Sequence, residues 1–433
     1  MFKYLLQIWN SRDLRKKILF TIGILILFRV ATHISIPGIN LQGLKEVLDQ
    51  NKILGMFSLL TGGSAENFSI VLMGLSPYIN ASIIIQLMTV VSPKLEAISK
   101  EGTQGRNALN RYTRYLTAPL AFLQSYGMIA LLNSQSRVPI IENIRDPKVI
   151  LPIMLTITAG TVFLIWLGEL ITEKGIGNGT SLIITSGILA NIPTILGQTL
   201  ALTERQTQKL LPFIVVIITT ILLTIFIVLI TESVRKVPIT YASHGMKGRG
   251  QQAMIPIRIN QAGMIPIIFA VSVISFPVVM ARLFAVNSTT PWVVSSAQAI
   301  VNFLQQDRAP YLILYFLLII AFTYFYVSIT FNPVNIAETI QKRGGFIPGI
   351  RPGRQTAEYL GTVSQHLNLF GGIFLALIAI FPLLLNFSLS GTTAGSVPLL
   401  ISGAGMIIIV GVVLDLIRQI NAQMVMHDYE KLY

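Results

Sequence analysis

Long apolar runs, separated by shorter polar stretches, recur ten times along this chain of 433 residues. Each run is close to the roughly 20 residues that an α-helix needs to cross the hydrocarbon core of a bilayer. The pattern therefore predicts an all-α integral membrane protein with ten transmembrane helices. The predicted spans are about Ile18–Ile36, Ser69–Val91, Tyr112–Asn133, Val149–Ile171, Thr180–Leu196, Leu210–Thr231, Asn260–Leu283, Ala309–Phe331, His366–Phe387 and Val397–Ile420.

The second predicted span differs from a plain membrane anchor because polar residues interrupt it. The stretch Met73–Leu87 contains a proline, an asparagine, two serines and a glutamine. Polar side chains at membrane depth are costly, and they usually face a protein interior or a water-filled path. The half-polar segment before it, Met56–Phe68, is too short to span a bilayer. The two segments are interpreted as a short re-entrant element followed by a pore-lining helix.

The ten spans divide into two sets of five, and the second span of each set carries glycine, proline and asparagine. Inverted repeats with a path at their interface are common in membrane conduits. The sequence thus predicts two inverted five-helix halves around a central pore. The predicted division is an N-terminal segment 1–17, a first half 18–197, a second half 198–420 with long loops 232–259 and 332–365, and a tail 421–433.

Charge is scarce and unevenly placed. Charged residues make up 12% of the chain, whereas soluble domains carry about 25%. The side that holds the N-terminus takes 22 of the 32 Lys and Arg, the other side takes 9, and Arg29 lies within the first span. The positive-inside rule then places both termini in the cytoplasm. The net charge of +14 is also expected to attract anionic lipid headgroups.

Several kinds of chemistry are not expected from this sequence. Cysteine is absent and the four histidines are scattered, so neither a disulfide nor a metal site is predicted, and no cofactor is expected. The loop Gly175–Gly179 resembles a phosphate-binding loop only superficially, because no strand precedes it and no lysine follows it. It is interpreted as a tight connection between spans, and neither ATPase activity nor a catalytic residue is expected. The first apolar run contains Arg29 and lacks a signal-peptidase cleavage site.

Short sequence blocks follow one another in an order and at a spacing that point to one family. They are Phe28-Arg29, Ile36–Ile39, Gly62-Gly63, Pro77–Leu87, Lys100–Gly102, Gly105-Arg106, Tyr112–Tyr115, Trp166–Glu169, Ile171–Gly179, Phe331–Pro333 and Phe346–Gly353. Through these blocks the chain resembles the SecY family, the channel subunit of the bacterial protein translocase, over nearly its whole length.

The resemblance implies an hourglass channel that opens across the membrane for secreted polypeptides and sideways for membrane helices. A ring of aliphatic side chains passes a polymer while offering no ligands to ions. By matching to the family, the ring is Leu75, Ile79, Ile184, Ile268 and Ile408, with Thr180 at a sixth place where it departs from the aliphatic pattern. Taken without the family, these residues would be interpreted as ordinary packing.

The resemblance also implies a plug and a lateral gate. The plug is the segment of about residues 56–64, namely Met56, Phe57, Ser58, Leu59, Leu60, Thr61, Gly62, Gly63 and Ser64. Gln86 and Asn260 are the expected gate residues on the second and seventh spans. Interhelical hydrogen bonds in membranes contribute about 0.6–2 kcal/mol, which suits a seam that a signal helix displaces. A local bond within the bundle is the competing interpretation for each residue.

The two long basic loops are expected to face cytosolic partners. By resemblance, Arg351 engages the SecA motor, and Lys247, Arg249 and Arg258 face the motor or the ribosome. The remaining expected partners are the subunits SecE and SecG and the secretory and membrane-protein precursors that the channel moves. The expected location is a bacterial plasma membrane, with a plastid thylakoid as the other possibility.

Two other functions fit the sequence less well. A secondary transporter of a small solute would share the fold class, but it would normally place acids near the midplane. Here Glu169, Glu232 and Asp415 all lie near cytosolic ends of predicted spans. An intramembrane enzyme would need a nucleophile with its base, or two facing acids, within the spans. Neither arrangement is visible in the sequence.

Overall fold

The computed structural model describes most of the chain. The described residues are 11–40, 43–44, 64, 67–135, 139–141, 146–205, 210–241, 251–287, 290–305, 308–390 and 402–430.

Helices dominate the described residues, and ten of them overlap the ten predicted spans. The elements in chain order are α1 (Arg12–Ala31), α2 (Ser76–Val91), α3 (Pro93–Lys100), α4 (Thr103–Gln135), α5 (Pro147–Lys174), α6 (Gly179–Arg205), α7 (Leu210–Glu232), β1 (Val234–Tyr241), β2 (Gln251–Arg258), α8 (Ile265–Asn287), α9 (Pro291–Phe303), α10 (Ala309–Thr330), α11 (Pro333–Lys342), β3 (Gly345–Phe346), α12 (Arg354–Ser390) and α13 (Gly403–Glu430).

The predicted all-α membrane fold is confirmed. Six helices among the described residues are long and apolar enough to cross a bilayer, namely α5, α6, α7, α10 continued by α11, α12 and α13. The pair α2 and α3, which is bent by 103°, makes a seventh if it counts as one span. Helices α1, α4 and α8 fall outside this count, so ten spans remains a prediction.

Seven of the ten predicted spans have a boundary that differs from the helix end by more than a turn, namely those of α1, α2, α4, α6, α8, α12 and α13. The starts of α2 and α12 have identifiable causes. Helix α2 begins at Ser76 rather than Ser69, because Pro77 starts the helix. The preceding residues form turns, and Ser69 pairs with Ser35 in an isolated antiparallel bridge. Helix α8 begins at Ile265 rather than Asn260. Helix α12 begins at Arg354, well before the predicted His366, because its first turns are amphipathic and carry no apolar run.

The two long basic loops contain regular structure that their composition did not predict. Strand β1 pairs antiparallel with both β2 and β3, in the order β2-β1-β3, and Val237 lies opposite Ile255. Val237, Ile239 and Ile257 are buried, and this period-two burial is typical of a strand with one covered face. Helix α11 covers the sheet, with Ile340 in the same apolar cluster.

The described chain separates into two compact units. Unit 1 comprises the described residues of Met1–Thr207, Ser272–Arg308 and Gly411–Tyr433, and unit 2 those of Gln208–Val271 and Ala309–Val410. The boundaries differ from the predicted halves because most of α8, the whole of α9 and the end of α13 cluster with unit 1. The two inverted halves therefore stay a prediction.

Unit 1 has its core where the segment before α2 meets α4 and α5. Phe68, Leu72, Ile129 and Ile157 are almost fully buried in one apolar cluster. Gly160 on α5 makes this packing possible, because a Cβ atom there would overlap the carbonyl oxygen of Ile70.

Candidate functional site

Two of the predicted ring residues lie at the start of α2 in unit 1. Leu75 is the N-cap residue of the helix and is buried. The amide of Ile79 donates a hydrogen bond to the carbonyl oxygen of Leu75 at 3.0 Å, so the two side chains are one turn apart on one face. Ile79 is half-buried. Two residues fix where α2 begins and therefore where this pair lies. Gly74 has φ +55° and interrupts the chain before the helix, and Pro77 lies in the first turn.

The two predicted ring residues on α6, Thr180 and Ile184, are also one turn apart, and both are half-buried. The Thr180 hydroxyl donates to Oδ1 of Asn178 at 2.7 Å, so its polar atom is paired within the loop. Its methyl group packs against Gly168 of α5. Thr180 thus has a defined packing partner, and its membership of the ring stays a prediction.

The last two predicted ring residues belong to unit 2. Ile268 is half-buried in the first turn of α8, and Ile408 is buried in the second turn of α13. The six side chains therefore lie on four helices and are all aliphatic except Thr180. Apolar groups such as these can bind neither ions nor protons, so the only chemistry open to them is steric closure and exclusion of water.

The predicted plug falls almost entirely outside the described residues. Met56–Gly63 are not described, and Ser64 alone is. Ser64 is fully buried, its hydroxyl donates to the carbonyl oxygen of Leu72 at 3.3 Å, and its own carbonyl oxygen accepts from the amide of Ser69. The end of the predicted plug is therefore held next to the segment that leads into α2.

The two predicted gate residues have local hydrogen bonds. Nε2 of Gln86 donates to the hydroxyl of Ser82 one turn earlier on α2, at 3.3 Å. Oδ1 of Asn260 accepts from the amide of Gly263 at 2.9 Å. Asn260 is buried in the turn before α8 rather than on the helix. These contacts agree with the competing interpretation, and the gate role stays a prediction.

The structure points to buried amides that the sequence analysis did not single out. Oε1 of Gln124 on α4, Nε2 of Gln261 and Oδ1 of Asn368 are buried without a hydrogen-bond partner among the described residues. The other end of Gln261 is paired, since Ser364 donates to its Oε1 at 3.0 Å. A buried polar atom without a hydrogen-bond partner lowers the free energy of unfolding by about 1–3 kcal/mol. A new hydrogen bond to such an atom would recover part of this loss. The signal of these side chains in the sequence was an amide within or next to an apolar run.

Arg351 is exposed in a turn whose backbone is well defined. Gly349 and Gly353 flank it with φ +83° and +94°, a region that glycine adopts far more easily than other residues. The Thr356 hydroxyl donates to the carbonyl oxygen of Arg351 at 2.9 Å. None of the ion pairs among the described residues involves Arg351.

The other predicted contact residues divide between described and undescribed parts of the chain. Arg258 is exposed at the end of β2, opposite Val234 of β1. Lys247 and Arg249 lie outside the described residues. Arg258 and Arg351 both belong to unit 2. Both lie in the part of that unit where the strands β1 and β2 pack with α11 and α12.

The loop Gly175–Gly179 is a junction between helices of unit 1. The amide of Ile176 donates to Oγ1 of Thr21 on α1 at 3.1 Å, and the amide of Gly177 donates to Oε1 of Gln419 on α13 at 2.8 Å. The amide of Gly179 donates to the hydroxyl of Thr172 at 2.9 Å. The loop amides are thus used by the protein itself, as expected for a tight connection rather than a phosphate site.

An ion pair joins the two helices that carry further family blocks. Nε of Arg114 on α4 lies 3.0 Å from Oε1 of Glu169 on α5, and both side chains are partly exposed. Among the described residues no group of three His, Cys, Asp or Glu side chains comes together as a metal site would require.

Comparison with known proteins decides the family. The SecY family model matches residues 69–417. The protein translocase subunit SecY of Corynebacterium glutamicum is 39% identical over 449 aligned residues, which cover 99% of each chain. The chain belongs to the SecY family. The resemblance that its sequence blocks indicated is therefore confirmed.

Solved structures agree with this SecY family fold. A structure described as a protein conducting channel has a TM-score of 0.67 and 17% identity, and the match covers 94% of this chain and 92% of that one. Sec61 in the canine ribosome-channel complex has a TM-score of 0.65 and 18% identity, with the same coverage. At such identities the likeness establishes a common fold.

Proposed function

We propose that this SecY family member is the protein-conducting channel subunit of a Sec translocase. It moves unfolded secretory polypeptides across the membrane and releases membrane-protein helices sideways into lipid. The observation that carries the proposal is the 39% identity to the C. glutamicum translocase subunit over 99% of both chains. No finding supports the alternative of a small-solute transporter.

The channel is closed by the apolar ring of Leu75, Ile79, Thr180, Ile184, Ile268 and Ile408. An aliphatic constriction excludes ions by staying dry, and its side chains yield when a polypeptide enters. Leu75 and Ile79 at the start of α2 are one turn apart, and so are Thr180 and Ile184 on α6. Each pair therefore presents two ring positions on one helical face, which supports this role. Residues 56–64 form the plug, and the buried Ser64 is its hinge to α2.

The lateral gate uses weak polar contacts that a signal helix replaces. Gln86 and Asn260 contribute to it, and the unpaired Oε1 of Gln124 gives α4 a group with the same function. Hydrogen bonds between membrane helices contribute only about 0.6–2 kcal/mol. A gate held by a few such bonds therefore lies near balance between closed and open states.

The basic residues of the two long loops, 232–259 and 332–365, bind the partner that drives transport. Sec61, a structural neighbour, forms a ribosome-channel complex, and we assign a ribosome-facing role to Lys247, Arg249 and Arg258. Arg351 engages the SecA motor, because its guanidinium is exposed on a turn fixed by Gly349 and Gly353. The subunits SecE and SecG complete the complex.

The protein lies in a bacterial plasma membrane with both termini in the cytoplasm, as the distribution of Lys and Arg indicates. The chain acts without catalysis of its own, so the energy for transport comes from the motor or from polypeptide synthesis.

Reconstitution tests the proposal directly. Proteoliposomes that contain the full chain with SecE and SecG, supplied with SecA, ATP and a precursor, should protect the precursor from external protease. Omission of ATP is the control and should abolish protection. Absence of protection with an engaged precursor, together with uptake of a radiolabelled amino acid or sugar, would contradict the proposal.

A further inference from the structure

Helix α9 is a helix that the ten-span pattern did not predict. It has 13 residues, PWVVSSAQAIVNF, and none of them is charged. It is too short to cross a bilayer, since a span requires about 20 residues. It lies in the connection between α8 and α10, and only Ala297 of the helix is buried.

The surface of α9 is divided into three faces when its residues are placed at 3.6 per turn. The least exposed face is formed by the half-buried Val293 and Val301 and the buried Ala297, and it continues into the buried Leu304. A second face is exposed and polar. Its residues are Ser295, Gln298 and Asn302.

The third face of α9 is exposed and apolar. Trp292 is 75% exposed, Phe303 is 55% exposed and Ile300 is 45% exposed. Ala299 lies between them and is also exposed, and the half-buried Ser296 completes the face. Two aromatic rings three turns apart are thus held outward by a helix whose opposite side is anchored in the protein. A water-exposed helix would gain nothing from this arrangement.

The chain connections restrict where α9 can lie. Three residues join α8 to α9, and five join α9 to α10. At about 3.3–3.6 Å per extended residue, these connections reach at most roughly 11 Å and 18 Å. The second is shorter than that, because the amide of Arg308 turns back to the carbonyl oxygen of Gln305. The polar interfacial layer on each side of a bilayer is itself roughly 5–8 Å thick.

We propose that α9 is an interfacial helix that lies in the plane of the bilayer surface. Its apolar face, Trp292, Ala299, Ile300 and Phe303, enters the boundary between headgroups and acyl chains, and its polar face remains in water. The occupant of this face is lipid because α9 is tethered at both ends to helices of a membrane channel. A helix with one apolar and one polar face is suited to that position, and Trp is enriched there.

The absence of charge on α9 predicts the kind of lipid interaction. Interfacial helices that carry Lys and Arg depend on anionic lipids, and their binding weakens with salt. Here the burial of apolar area alone holds the helix, so the interaction should not depend on anionic lipid. One consequence is that the adjoining end of α8 is attached to the bilayer surface.

The small number of tryptophans makes a direct test possible. The chain has three, at positions 9, 166 and 292. Trp9→Phe combined with Trp166→Phe leaves Trp292 as the single reporter. Trp9→Phe combined with Trp292→Phe leaves Trp166, which is exposed on the spanning helix α5 and is the matched control. Each full-length variant is reconstituted into phosphatidylcholine vesicles brominated either near the headgroup or deep in the acyl chains.

The proposal predicts that Trp292 loses most fluorescence with the shallow bromines and little with the deep ones. Its quenching should be unchanged when anionic phosphatidylglycerol or 1 M salt is added. Ala299→Asp in the Trp292-only chain should reduce the quenching, because a carboxylate resists burial. Equal fluorescence in brominated and unbrominated vesicles, with Trp166 quenched normally, would overturn the proposal and indicate water or a protein partner at this face.

Discussion

The backbone amide of Gly177 donates a hydrogen bond to Oε1 of Gln419 at 2.8 Å, although 242 residues separate the two positions. Gly177 has φ +91°, which aims its amide at α13. The neighbouring amide of Ile176 donates to Thr21 on α1. One short loop therefore links two helices, α1 and α13, that are distant in sequence.

Removal of the Gln419 side chain should weaken this junction. Gln419→Ala leaves the Gly177 amide without its acceptor, and it should lower the free energy of unfolding by about 1 kcal/mol. The change should also speed protease cleavage within Gly175–Gly179. Gln423→Ala, one turn later on α13, is the control. Equal effects of the two variants on unfolding in detergent would show that the bond contributes nothing.

Gly160 should tolerate no side chain. A Cβ atom at this position would overlap the carbonyl oxygen of Ile70, and backbone atoms cannot move aside as a side chain can. Gly160→Ala should destabilise the protein by about 1–3 kcal/mol. Gly197→Ala on α6, where the added methyl group meets no atom within 4 Å, should be neutral or stabilising. Comparison of thermal denaturation midpoints checks the prediction, and a harmless Gly160→Ala would contradict the described packing.

The Arg114–Glu169 ion pair should show a measurable coupling energy. Arg114→Glu and Glu169→Arg should each destabilise the protein, and the double exchange should restore part of the loss. Because both side chains are partly exposed, the coupling should be about 0.2–1 kcal/mol. The Lys100–Glu96 pair, more exposed and within one helix, is the comparison and should give about 0.3–0.5 kcal/mol or less. No recovery in the double exchange would show that the two charges do not interact.

Reversal of the charge at Arg351 should separate transport from assembly. Arg351→Glu should abolish SecA-driven protection of a precursor, while the variant itself still inserts into the membrane. Arg354→Glu is the matched control, because Arg354 already pairs with Glu358 at 2.9 Å within α12. It should retain most transport. Normal transport by Arg351→Glu would remove this residue from the proposed motor contact.

The apolar runs made the spanning helices predictable, but local chain breaks were less visible. Leu210–Glu232 matched its predicted span within one residue because nothing in it competes with the apolar pattern. The start of α2 was predicted too early, because the apolar run begins before Gly74. The helix itself begins only at Ser76, after Gly74 and with Pro77 in its first turn. The sheet was missed because Arg235 and Lys236 masked the alternation of Val237 and Ile239.

The predicted site could not be obtained from physical pattern alone. Leu75 and Ile408 are buried like ordinary packing residues, so only the family match distinguished them. Gln124 could have been found from the sequence, since an amide inside an apolar run requires a partner. Helix α9 was missed because its 13 uncharged residues are too few for a span, so the search for apolar runs passed over its start at Thr290 and Pro291 and its helical period.

The absence of cysteine permits the most direct test of the channel. Single cysteines are placed at Leu75, Ile79 and Ile408, with Ile26 as control because it is 59% exposed on the outer surface of α1. A secretory precursor is then stalled in the membrane with SecA and ATP, and each cysteine is tested for crosslinking to it. Crosslinks at the three ring positions and none at Ile26 are predicted. An engaged precursor that crosslinks to none of the three would contradict a protein-conducting pore lined by this ring.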